Sequence, residues 1–168
     1  LVQIRSATLN DVDKIKESIK YTLANPEGRT QRKKYADAVD RGELLVMTRF
    51  DPKEQEEEVL GFIEWHTRVD GAVTIRDAGT VGDQPNVALL KRLVRELLRL
   101  LHPPTATVKV RADQREWNMV FQETPGFVFE GQEYTRPHFR NVWTWSAEAE
   151  RLALRGARRA VPRAARGR

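Results

Sequence analysis

The stretch GTVGDQPNVALLKRLVRELL, residues 79–98, has the outline of a phosphate cradle. A strand-like run leads into a tight turn, and the turn opens a long apolar helix whose first amides lack partners within the helix and so attract anions. The turn itself is unusual. Where glycines would let the backbone approach a phosphate, it carries Asp83, Gln84, Pro85 and Asn86. Asn86 tolerates a left-handed conformation, and Pro85 suits the first turn of a helix but supplies no N–H. Asp83 brings negative charge to the place phosphates would occupy. Two carboxylates sit on neighbouring strand-like runs. Glu64 alternates onto one face with Phe62 and His66 along 59–68, and Asp77 shares a face with Val73, Ile75, Gly79 and Val81 along 73–81. A carboxylate or imidazole so placed can remove a proton from an incoming ammonium, directly or through water. The plainer alternatives are a solvated or helix-covered strand face for Glu64 and His66, and an ion pair for Asp77.

Those residues need elements to hold them. The run VQIRSAT (2–8) alternates like a first strand. Thr8 and Asp11 have capping-box spacing, and Val12, Ile15, Ile19 and Leu23 recur at helical intervals, which predicts a helix over 10–23. Thr30 can cap a second helix through Tyr35, Ala38 and Val39, stopped by Gly42. Strands are predicted at 43–50, 59–68 and 73–81; the polar run DPKEQEEE turns between the first two, and Asp70-Gly71 favours a hairpin after the second. A helix over 86–101 carries Leu90, Val94, Leu97 and Leu101 on one stripe and ends before Pro103 and Pro104. A strand at 106–112 follows, then a short helix capped by Asp113 and Glu116 and carrying Trp117, Val120 and Phe121. A hairpin from PGFVFEGQEYTR to NVWTWS closes the order β-α-α-β-β-β-α-β-α-β-β, an α/β fold with a mixed sheet and one domain over 1–145.

Charge and composition exclude several classes. The 168 residues contain no cysteine, so disulfides, a thiol nucleophile and thiolate metal sites are absent. Three scattered histidines without an HExxH or a carboxylate cluster make no metal site. His102 reads as a helix-end residue and His138 as structural or exposed. No run approaches ~18 uninterrupted apolar residues, so no membrane span is expected, and the opening residues look like folded chain rather than a signal peptide, which fits a cytoplasmic protein. Of the net charge of +5, all lies in 146–168, an Arg/Ala-rich extension with seven arginines and two glutamates. A helix over about 147–160 followed by disorder is expected there. Without an aromatic residue or a base-reading fold, non-specific nucleic-acid binding through this tail is disfavoured. Trp65, Trp117, Trp143 and Trp145 read as core and sheet-packing aromatics.

In this order, three phrases resemble the GNAT superfamily of N-acetyltransferases, over roughly residues 2–145. IRSATLNDVDKIKESI is similar to the family's opening strand and helix, EVLGFIEWH to its third strand, and FQETPGFVFEG to its Phe-Tyr-x-x-x-Gly-Phe-x-x-x-Gly phrase. The resemblance implies acetyl-CoA bound where the fourth and fifth strands splay, with an amine entering from the other side. The backbone of Ala78, Gly79, Thr80 and Val81 would then hold the pantetheine arm, and Gly82, Asp83, Gln84 and Asn86 would cap the phosphates. Against the family's Arg/Gln-x-x-Gly-x-Gly/Ala signature stand Val81, Gln84 and Asn86, or in a shifted register Asp83, Asn86 and Ala88, so the loop reads as a degenerate one. Arg115 falls where the family often has an Asn near the cofactor. Gln122 falls where a Tyr often protonates the departing thiolate, and an amide cannot deliver that proton; Tyr134 is a remote substitute. The expected function is a weak or atypical N-acetyltransferase acting on a small-molecule or peptide amine, with Glu64 or Asp77 as base and a homodimer as the usual assembly. The alternative is a catalytically silent GNAT-fold module that binds a small ligand or a protein partner.

Overall fold

Charge pairing sets the first turn of the chain. In the computed structural model, which describes residues 1–30 and 35–159, β1 (Val2–Ser6) gives way to α1 (Leu9–Ser18) across Thr8. The Thr8 amide donates to Asp11 Oδ2 at 2.7 Å, which is the predicted capping box. Arg5 reaches the same carboxylate with both terminal nitrogens, at 2.7 and 3.0 Å. Burial alone would raise the Asp11 carboxyl, but the Arg5 and Thr8 donors outweigh it and hold the group below the usual carboxylate range.

The helix ends at Ser18, earlier than the predicted 10–23. Ile19 takes an extended backbone, and the chain turns onto the edge of β4 (Val73–Thr80). There the Leu23 amide donates to the Ala78 carbonyl at 2.9 Å, and Thr22 bridges Gly79. Ile19 and Leu23 are both buried, but in cores on opposite faces of the sheet. The helical spacing was therefore met by two different geometries. The second helix, α2 (Ala36–Asp40), begins after Tyr35; the cap expected from Thr30 onward runs into 31–34, outside the described residues.

The strand β2 (Leu44–Asp51) matches its expected length shifted by one residue, whereas β3 (Glu56–Thr67) begins earlier than the sequence suggested. The polar run shrinks to a turn at 52–55, because Glu57 and Glu58 find Arg5 and Arg49 beside them and continue the ladder. After β4, α3 (Val87–Leu101) buries Leu90, Leu93, Val94, Leu97 and Leu98. Leu101, expected on that stripe, lies on the exposed side, because Leu93 and Leu98 take the sheet-facing positions. His102 ends the helix with φ 43°, a left-handed C-cap. Next come β5 (Ala106–Arg111) and α4 (Arg115–Gln122), whose N-cap is Gln114 rather than Asp113; Asp113 is drawn instead to Arg111 at 2.7 Å. The hairpin of β6 (Phe127–Thr135) and β7 (His138–Trp145) leads into α5 (Ala147–Arg159), matching the predicted tail helix as far as it is described. Residues 160–168 lie outside the described residues.

One seven-stranded sheet runs β1-β2-β3-β4-β5-β7-β6. All neighbours are antiparallel except β4 and β5. One face is covered by α1 and α2 over Val46, Val59 and Phe62. The other is covered by α3 and α4 over Ile63, Trp65, Val108, Trp143 and Trp145, so all four tryptophans are core residues. Among the described residues no helix is long and apolar enough to cross a membrane.

Asp11→Ala removes the cap and two charged hydrogen bonds, and is expected to lower unfolding free energy by about 2–3 kcal/mol in denaturant titrations at neutral pH. Because the folded carboxyl titrates below its unfolded value, its contribution is complete above the unfolded pKa and disappears as pH falls through the folded one. The gap between native and variant should accordingly close below about pH 4.

Candidate active site

Parallel pairing between β4 and β5 covers only Val73, Thr74 and Ile75 against Ala106, Thr107 and Val108. Beyond that the two strands diverge. The register of β4 on β3 shifts at the same point: Trp65 faces Ile75 while Glu64 faces Asp77, leaving Arg76 as the extra residue of a bulge. A bulge bends its strand and increases the local twist, which carries the end of β4 away from β5. It also reverses the side-chain alternation. Val73 and Ile75 enter the α3/α4 core, whereas Asp77 turns to the opposite face beside α2. The expected grouping of Asp77 with Val73 and Ile75 is corrected accordingly; the period-2 reading broke at Arg76.

Glu64 and Asp77 are thereby brought side by side on neighbouring strands, 4% and 0% exposed. Asp77 is heavily bonded. Its Oδ1 accepts the Ala24 amide at 3.0 Å and the Ala78 amide at 2.9 Å, and its Oδ2 accepts the Tyr35 hydroxyl at 2.8 Å. Asp77 thus ties the segment after α1 and the start of α2 to β4. Tyr35 also meets Phe62 edge-on at 5.1 Å between centroids. Residue type alone carries no signal for the Tyr35 contact, since Tyr35 reads as an apolar helix position 42 residues away. His66 lies half-exposed with Nδ1 3.5 Å from Glu43 Oε2. Burial would raise the Glu43 carboxyl, but donors from the Thr67 amide, Arg41 and His66 keep it low. His66 is thus directed to Glu43.

The loop after β4 is held from within. Thr80 Oγ1 accepts the Asn86 amide at 2.9 Å, and Asn86 Oδ1 caps α3 by accepting the Leu89 amide at 3.1 Å. Asn86 has φ −84°, so it is an extended N-cap and not the left-handed residue its type allowed; Pro85 precedes the cap and lies outside the first helical turn. Two of the amides nearest the helix start are therefore already engaged. The first-turn amides of Val87 and Ala88 have no i−4 partner in the helix and face the loop end. Gly82 adopts φ +104° with open space where a side chain would stand, so backbone can be approached closely there. Ala78, Gly79 and Thr80 are buried, while Val81, Gly82, Asp83 and Gln84 are exposed. Gly79 is required for another reason: a Cβ there would meet Ile19 at 2.7 Å and Phe62 at 2.9 Å. The diverging β4 edge, the open backbone at Gly82 and the helix start can accept an extended arm ending in phosphates, with fewer amide donors than a glycine-rich loop offers.

Arg115 and Gln122 stand apart from that set. Both are exposed and line a groove of about 600 Å³ on α4 with Asn118, Met119 and Asn141, a groove whose lining includes no residue of the 78–86 run. Asn118 organises that groove. Its Nδ2 donates to the Arg111 and Gln114 carbonyls, and its Oδ1 accepts from Asn141 and Trp143. Tyr134 is exposed against Phe139 in the far hairpin. Among the described residues no cluster of histidine and acidic side chains could hold a metal.

No protein-family model matches the sequence, and a search of curated proteins finds no match. Solved structures do match in fold. A GNAT-family acetyltransferase from Bacillus cereus superposes with a TM-score of 0.63 at 14% identity, over 87% of this chain and 97% of that one. Spermidine N-acetyltransferase from Vibrio cholerae, solved with CoA and spermine, gives 0.61 at 12% identity over 89% and 97%. A chain of the NatC complex bound to Gag peptide and CoA gives 0.65 at 10% identity over 86% and 98%. The strand order, the splay of β4 from β5 and these superpositions together identify the chain's fold as that of the GNAT acetyltransferases.

Proposed function

We propose that the protein is an N-acetyltransferase that takes its acetyl group from acetyl-CoA and passes it to a small-molecule or peptide amine. One observation carries this reading: the buried pair Glu64 and Asp77 lies where β4 leaves β5, beside the gap the diverging strands open. An amine is an ammonium ion at neutral pH, and adjacent carboxylates attract it. Asp77 is committed to three donors and serves to position β4, the 22–24 segment and Tyr35. Glu64 is the group assigned to accept the proton, directly or through water, which frees the lone pair for attack. The Thr80–Gly82 edge and the Val87 and Ala88 amides would hold the cofactor. Acetyl-CoA, when bound, supplies an acetyl group on a reactive thioester. Gln122 offers at most a hydrogen bond, so the chain provides no proton for the departing thiolate from that position. A second reading, a GNAT-fold module that binds without turnover, is favoured by the engaged Asn86 amide and by Asp83, both of which weaken the anion site. In either reading a pairing of two chains is the expected assembly.

Acetylation assays against a polyamine and a peptide amine test the first reading. Glu64→Gln should lower kcat/KM by about 10²–10⁴-fold with little change in acetyl-CoA affinity; an unchanged rate would remove Glu64 from the mechanism. Asp83 opposes phosphate binding in both readings. Asp83→Asn should tighten acetyl-CoA about fivefold, near 1 kcal/mol, in calorimetric titration at low salt, with the gain shrinking as salt rises.

A further inference from the structure

Along the outer side of α3, reaching its first turn at Ala88, α3 and α5 form the walls of a groove of about 850 Å³. Its floor is apolar, with Leu98, Trp145 and Leu154. Its rim is cationic, with Arg92, Arg95 and Arg151, none of which has an ion-pair partner among the described residues. The two acids that line it are already engaged: Glu96 pairs with Arg99, and Glu150 accepts the Trp145 indole N–H at 3.1 Å. The potential of the groove is therefore positive.

The helix that makes one wall is poorly supported. It is rooted by its first turn, where Ser146 Oγ accepts the Ala149 amide and the Glu150 side chain meets Trp145 beside Gly126. Every residue of 151–159 is exposed, including Leu152 at 59% and Leu154 at 42%. A helix of this length is marginal in water unless its apolar face is covered. What covers it must bring both apolar side chains and negative charge, because a second copy of this arginine-rich wall would add like charge to like.

We infer that the α3–α5 groove is a docking surface for an acidic amphipathic helix of another protein. Leucine-type residues would enter between Leu98 and Leu154, and carboxylates would meet Arg92, Arg95 and Arg151. Nucleic acid fits less well, since the one aromatic ring lining the groove, Trp145, is only 5% exposed and gives a base little to stack on.

Fluorescence anisotropy on the full chain tests this with three probes. These are a synthetic helical peptide with Leu at i, i+3, i+4 and i+7 and Glu elsewhere, the same peptide with Leu replaced by Ser, and a single-stranded oligonucleotide. The expected result is saturable binding of the first peptide that falls at least about tenfold in the Arg92→Glu/Arg95→Glu variant and again in Leu154→Asp. The Ser peptide should bind at least about tenfold more weakly. Circular dichroism of each variant checks that the domain is folded; all three positions are at the surface. Failure of the first peptide to bind would overturn the inference. So would equal binding of the Ser peptide, binding unaffected by Leu154→Asp, or preference for the oligonucleotide, which would mark a purely electrostatic surface.

Discussion

The bulge at Arg76 is the constraint on which the centre of this molecule turns. A β4 strand without it would continue beside β5, and Asp77 would point with Ile75 into the α3/α4 core. One extra residue rotates the strand end, opens the sheet between β4 and β5, and moves a carboxylate to the other face beside Glu64. Opening a sheet strands backbone groups that must find partners. The chain supplies some of them itself: Leu23 takes the Ala78 carbonyl, and the Asp77 side chain takes the Ala78 and Ala24 amides. The same residue that results from the bulge therefore stabilises it.

This arrangement divides the labour between two acids that the sequence presents as equivalents. Asp77 has both oxygens occupied by donors from three separate segments, which makes it a structural anchor for β4, the 22–24 segment and the start of α2. Glu64 lies next to it on the neighbouring strand, 4% exposed. In the loop after β4 the balance is different. The helix start is present, but Thr80 and Asn86 use part of its hydrogen-bonding capacity to fix the loop. A loop stiffened by its own side chains replaces one that wraps a phosphate with glycine amides.

Most of the layered architecture was legible from apolar periodicity. The order of strands and the Leu90, Val94 and Leu97 stripe of α3 appeared as expected because apolar positions recur there at the spacing of the element that buries them. Three features were not legible, each for a physical reason. The end of α1 was misplaced because Ile19 and Leu23 keep helical spacing while burying on opposite faces of the sheet. The face of Asp77 was misjudged because alternation assumes an unbroken ladder. Asn86 suggested a left-handed turn, but side-chain capping offered a better use of its amide oxygen. At the proposed site, the run 78–86 and the carboxylates Glu64 and Asp77 could be picked out as candidates from residue type and order. Tyr35 could not, since only the fold brings it to Asp77.

The splayed edge of β4 is the proposed seat of acetyl-CoA. Calorimetric titration of the full chain with acetyl-CoA, followed by hydrogen exchange of the complex, tests that claim most directly. The predicted result is saturable micromolar binding that protects the amides of 78–90. Absence of heat at millimolar acetyl-CoA, or binding that protects the α4 groove and leaves β4 unchanged, would contradict it.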